Sequence, residues 1–241
     1  FKIGELEERG CKVIQSHKDI RIIQKLVEYL ASVEYWHDPD SGIWEENEEI
    51  HASSVGACVA GLKKISLIPQ IKVPKDVIER GERMLRKMLP RESDKKFVDM
   101  ALLTLIYPFD VATPKEREDI LRNVEYHLVK ERGVIRYRDD YYYNSNPDGK
   151  SEEAEWTMGF AFLSIIYSKL GEKSKAQYYL EKLIGDIVYE GLPELYFSHS
   201  KKYNDNTPLG WAESVFLVSA YEFNKKHMKG FFSKLIDKIK N

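Results

Sequence analysis

Apolar residues recur at helical spacing through most of the chain. From Asp19, the positions Ile20, Ile23, Leu26, Val27 and Leu30 share one face of a 3.6-residue period, predicting a helix to about Trp36 with Asp19 as its N-cap. A short amphipathic stretch over 3–16 precedes it. Ala52 to Ile65 predicts a second helix, whose Ala57, Ala60 and Gly61 permit close helix contact. Pro74 sets the first turn of a third, which reaches about Leu89. Ser93 caps a fourth with the core face Phe97, Met100, Ala101, Leu103 and Leu105, ending before Pro108. Thr113-Pro114-Lys115-Glu116 is a capping box with proline at the first helical position, and its helix runs to about Glu131. Ser151-Glu152-Glu153 opens a helix through Leu170, and Lys173 to Ile187 forms its hairpin partner. Pro208 to Asn224 follows, and a basic amphipathic stretch from Met228 to Lys240 closes the sequence. No alternating run is long enough to predict a strand.

Connections between these helices are unequal. Three are long: Trp36 to Ile50, Gly133 to Gly149, and Glu190 to Thr207. Helices joined by short turns run antiparallel, so the order of long and short connections predicts that all three long loops leave one face of a ring of helical hairpins. Long loops on a compact all-α domain are usually functional.

Composition narrows the partners. The chain has 241 residues, enough for one good core, and is expected to form a single domain over 1–241. A net charge of -2 offers no basic field to hold nucleic acid. No apolar run approaches the roughly 20 residues needed to span a bilayer. Cys11 and Cys58 lack metal-ligand spacing and are expected to be buried thiols in a reducing compartment, so a cytoplasmic setting is expected. The histidines are scattered, and neither a metal nor a cofactor is expected. Fifteen Tyr and four Trp suit a ligand made of rings.

The long loops carry the chemistry. Asp38-Pro39 and Ser41-Gly42 force turns, so Trp44-Glu45-Glu46 is presented from a shaped loop. An indole can stack on a pyranose, and its apolar flank can raise a neighbouring Glu toward general-acid function. The second loop supplies Arg136, Asp139 and Asp140 with Tyr141 to Tyr143, and the third supplies Glu194. Carboxylates on opposed loops, with an arginine and aromatics between them, are what glycoside hydrolysis requires. Glu46, Glu48 and Glu49 are read most simply as solvated charges, one of them able to bind sugar hydroxyls, and His51 as a capping or core-edge residue.

Ser41-Gly42-Ile43-Trp44-Glu45-Glu46, followed by His51-Ala-Ser-Ser-Val-Gly-Ala, resembles the Asp-x-x-Trp-Glu acid loop of the glucoamylase family, glycoside hydrolase family 15. Arg136-Tyr137-Arg138-Asp139-Asp140, with Asn144-x-Asn146-Pro147, is similar to that family's Gly-Arg-Tyr-Pro-Glu-Asp and Asn-Pro segment. Gly191-Leu192-Pro193-Glu194, then Pro208-Leu209-Gly210-Trp211-Ala212, resembles its base loop and last barrel helix. The matches fall in order over about 20–223. Arg138 stands where proline is usual, and Leu195 where Gln or Glu is familiar after the base.

The resemblance implies an all-α (α/α)6 barrel that releases terminal glucose from α-linked glucans with inversion. It implies Glu45 as general acid and Glu194 as general base, with Trp44, Glu46, Arg136, Asp139 and Trp211 binding substrate. Inversion implies facing carboxyls roughly 6.5–9.5 Å apart. The family barrel has twelve helices, of which about eight are matched here. Residues 1–18 are an upstream helix remnant or linker and 225–241 an extra helix. An upstream segment, a second polypeptide or self-association would therefore complete the ring. Two alternatives stay open: a trehalose or dextran hydrolase with the same acid and base, and a non-catalytic regulatory or glycan-binding module of the kind in phosphorylase kinase regulatory subunits.

Overall fold

The computed structural model describes residues 1–144 and 152–227. The predicted stretch over Met228 to Lys240, the Asn146-Pro147 pair and Ser151 lie outside the described residues. The chain divides into two units, residues 1–120 and 121–241.

The first unit holds α1 (Lys2–Glu8), α2 (His17–Ser32), α3 (Ala52–Ile65), α4 (Lys75–Met88) and a 3₁₀ segment, Met100–Leu105. The closest approach on α3 is made at Gly56, rather than at the expected Ala57, Ala60 and Gly61. A Cβ on Gly56 would lie 2.1 Å from Leu105 Cδ2, so only glycine lets the 3₁₀ segment come so close. Gly81 of α4 meets the Tyr35 ring in the same way, and the Tyr35 hydroxyl donates to Val77 O at 3.1 Å. α2 buries Ile23 and Val27 on one face, while Ile22, Leu26 and Tyr29 remain exposed on the other.

Three expectations need correction here. The cap of α2 is Ser16 rather than Asp19: Ser16 Oγ accepts from Asp19 N, and the Asp19 carboxylate accepts from Ser16 N at 2.8 Å, a closed capping box. The expected helix from Ser93 is absent. Ser93 Oγ accepts from Lys96 N, but helical structure begins at Met100, capped by Asp99. The segment Met100–Leu105 is buried at every position, and continuous burial carries no period from which to choose a helix type. Cys11 is exposed, because it follows the turn at Gly10 beyond the end of α1.

α5 (Pro114–His127) begins with the predicted box: Glu116 N donates to Thr113 Oγ1, and Thr113 N donates to the Glu116 carboxylate. Glu116 also pairs with Arg86 of α4. The division between the units falls within α5.

The second unit is organised on α6 (Met158–Leu170), buried at every position from Met158 to Ser168 and packed between α7 (Lys173–Gly185) and α8 (Gly210–His227). An apolar run with no polar face folds stably only when enclosed, and each large side chain contributes about 2 kcal/mol. Gly171 ends α6 in the left-handed conformation. Strands, which the sequence does not predict, do occur. β1 (Glu155–Trp156) pairs antiparallel with β2 (Leu195–Tyr196), and Trp156 also bridges to Val134.

Replacing Ser16 with Ala should remove one arm of the α2 capping box and cost about 1 kcal/mol. Urea denaturation monitored by circular dichroism should register this as a lower midpoint with an unchanged slope.

Candidate active site

In the first unit the loop after α2 is pinned by backbone and carboxylate together. Asp40 and Glu49 exchange both backbone hydrogen bonds, at 2.9 and 3.0 Å. Asp40 Oδ1 accepts from Gly42 N at 2.6 Å and from Ser54 Oγ at 3.0 Å, which ties the loop to α3. Gly42 has φ +64, and a Cβ there would lie 2.9 Å from His51 Nε2. Glycine is required twice over, for conformation and for space.

Beneath the loop lies a buried polar layer. Trp44 Nε1 donates to Asp99 Oδ1 at 2.9 Å, and Asp99 Oδ1 also accepts from Ala101 N at 2.7 Å. Lys96 Nζ donates to Glu46 at 3.1 Å and stands 3.9 Å from Asp99. Deeper in, the Glu92 carboxylate accepts from Ser53 and sits 3.4 Å from His51 Nδ1. The hydrogen bond to Glu92 raises the His51 pKa. Asp99 is fully buried, and that desolvation, with the Glu92 charge nearby, pushes its carboxyl up to about 8. Glu46, expected to be partly solvated, is thus fixed by Lys96, and His51 is a core residue. Glu45 is exposed and holds φ +54, a left-handed conformation uncommon for a side chain of this type.

In the second unit the two remaining loops meet through β1. Val134 and Trp156 exchange backbone hydrogen bonds at 3.0 Å each way, and Trp156 faces Leu195 across the ladder. Arg136 follows Val134 by two residues and Glu194 precedes Leu195 by one, so a single strand holds both chemical loops. Arg136 is buried and forks onto Asp140, with Nε to Oδ2 at 2.7 Å and Nη2 to Oδ1 at 2.6 Å. Its guanidinium lies 5.0 Å from both the Tyr142 and Trp156 rings. Those two rings stack at 5.9 Å, and Tyr142 meets Tyr143 edge-on. Burial first, then the neighbouring Tyr143 and Glu194, raise the Tyr142 pKa.

Glu194 is nearly buried. Its Oε2 accepts from Asn204 Nδ2 at 2.5 Å and Asn206 Nδ2 at 2.9 Å, and its backbone N donates to Asn206 O at 3.3 Å. Oε1 takes no hydrogen bond among the described residues. Leu192 N donates to Glu213 Oε1 of α8 at 2.7 Å, so the helix that carries Trp211 also holds the Glu194 loop. Trp211 itself is about two-fifths exposed, at 39%. Asp139 is exposed, and its backbone N donates to Glu153 at 3.0 Å.

Asp99, Glu92, Asn204, Asn206 and Trp156 are the residues that sequence reasoning missed. The asparagines sit in a polar run, Tyr203-Asn204-Asp205-Asn206, that carries no periodic signal. Asp99 precedes an apolar run and reads as a simple cap. Among the described residues no group of three or more His, Cys, Asp or Glu could hold a metal ion.

With this geometry in place, comparison with known proteins is informative. The family model described as glycosyl hydrolases family 15 matches residues 3–224. A probable phosphorylase b kinase regulatory subunit alpha from Caenorhabditis elegans is 27% identical over 267 residues, covering 90% of this chain and 22% of that protein. An uncharacterized glycosyl hydrolase from Methanocaldococcus jannaschii is 28% identical over 242 residues, covering 84% of this chain and 37% of that protein. The chain therefore spans only a minor part of these relatives. A solved wild-type glycosidase superposes with TM-score 0.64 at 21% identity, covering 82% of this chain and 58% of that one. The chain shares its all-α fold.

The raised carboxyl of Asp99 makes a pH-dependent prediction. An exposed aspartate titrates at about 4, so the folded state holds this proton more tightly than the unfolded chain does. That stabilisation is complete below about pH 4 and is lost as pH rises to about 8. Thermal melts of wild type and Asp99→Asn between pH 5 and 9 should therefore diverge, the variant gaining on wild type as pH rises. Parallel curves would remove Asp99 as the titrating group.

Proposed function

The chain belongs to glycosyl hydrolases family 15, and on that premise we propose that it acts as an inverting glycoside hydrolase releasing terminal glucose from α-linked glucans. Glu45 is the general acid and Glu194 the general base. The observation that carries this reading is the Glu194 carboxylate. It is nearly buried and anchored at Oε2 by two asparagine amides. Anchoring one oxygen leaves the other to take a proton from an attacking water, which is the task of a base in inversion.

The other residues take supporting roles in this reading. Tyr142, the exposed ring of the shelf, offers its surface to a sugar, with Trp156 buried behind it, and Arg136, neutralised by Asp140, orients hydroxyls without titrating. Trp44, Glu46, Asp139 and Trp211 are the further substrate-binding residues of this reading. The exposed Ile22, Leu26 and Tyr29 on α2 support a ring completed by an upstream segment or a second polypeptide. A cytoplasmic setting is proposed with it, on the two free cysteines; no described helix is long and apolar enough to cross a membrane.

A second reading is a regulatory or glycan-binding module. Similarity to a probable phosphorylase b kinase regulatory subunit favours it, as does the exposure of Glu45, since a general acid gains its proton from an enclosed setting. Trehalose or dextran would serve the same two carboxylates if the missing subsites dictate.

Incubation of the chain with maltotetraose, followed by NMR of the anomeric protons, separates these readings. Hydrolysis with inversion gives β-glucose first, and Glu45→Gln and Glu194→Gln should each lower the rate by roughly 100-fold or more. Saccharide binding without turnover in wild type would favour the binding module.

A further inference from the structure

α4 carries Arg80, Arg83, Met84 and Lys87 at spacings that put them on one face. With Trp36 they line a shallow, open cleft of about 460 Å³ in the first unit. The three cations are not equivalent. Arg80 is fixed, with its guanidinium 5.2 Å from the Trp36 ring and ion-pair distances of 3.7 Å to both Glu34 and Asp76. Arg83 and Lys87 are exposed and form no ion pair among the described residues. Two uncompensated positive charges therefore stand over an apolar floor of Met84 and Trp36.

We propose that this cleft is a binding site for a sugar phosphate. A phosphate monoester carries close to two negative charges and three acceptor oxygens, which matches the unpaired Arg83 and Lys87. The wall of Met84 and the edge of Trp36 offer an apolar surface to a pyranose ring. A neutral sugar would leave both cations uncompensated. A purine nucleotide needs an open aromatic face, whereas Trp36 is almost wholly buried, with Arg80 over its ring. The proposal does not rest on the hydrolase reading, because binding is measured without turnover.

Isothermal titration of the full chain with glucose 6-phosphate, glucose and inorganic phosphate tests it. Glucose 6-phosphate should bind, with affinity falling as salt rises, and glucose should give no signal. The double variant Arg83→Gln/Lys87→Gln should weaken binding roughly tenfold or more. Both side chains are exposed, and an unchanged circular dichroism melt would verify that the variant folds. Equal affinity in wild type and variant would overturn the site. Inorganic phosphate binding as tightly as glucose 6-phosphate would overturn the assignment to a sugar phosphate.

Discussion

The candidate site of the second unit depends on the backbone of one residue. Trp156 exchanges hydrogen bonds with Val134 on one side and lies opposite Leu195 on the other, so two loops remote in sequence are laced to a strand of two residues. Side chains alternate across such a ladder, and a slip of one position would turn each to the opposite face. The register Glu155 to Tyr196 therefore fixes where Glu194 stands relative to Trp156. Gly133 shows how tight the lacing is: a Cβ there would lie 2.6 Å from the Glu155 backbone. The ladder ends against α6, whose burial on all sides supplies a floor that cannot shift without opening the core.

The first unit solves a similar problem with charge instead of backbone. Asp99, Glu92 and His51 are all buried, and each is costly to remove from water unless its hydrogen bonds are met. Trp44 and Ala101 meet those of Asp99 and Ser53 meets those of Glu92, and these are the groups that position the loop, while His51 Nε2 is left without a partner among the described residues. Stability and loop placement are thus coupled through the same contacts. A change that relaxes one disturbs the other.

How much of this was legible in the sequence differs by element. α3, α4, α5 and α7 were readable because capping chemistry or amphipathic period marks them, and Thr113 with Glu116 forms the expected box. α6 was readable as a helix, but its start was placed early: the acidic run before it suggested a first turn where the chain instead makes β1. Two-residue strands leave no alternation to detect, and their pairing is set by partners forty residues away. Asp140 was named among the second loop's acids, but not as the anchor of Arg136. Its burial is a tertiary fact, created when Tyr142 and Trp156 close over the guanidinium. Asn204 and Asn206 were invisible for the same reason.

Backbone conformation adds one more consequence. Glu45, Asp139, Tyr143 and His199 all hold positive φ, and they fall in the three long loops. Glycine or asparagine would occupy such positions with less strain, which for other residues is of order 1 kcal/mol each. A chain shaped for stability alone would relax these positions. Keeping a carboxylate at Glu45 therefore leaves the loop under conformational tension that glycine or asparagine would release.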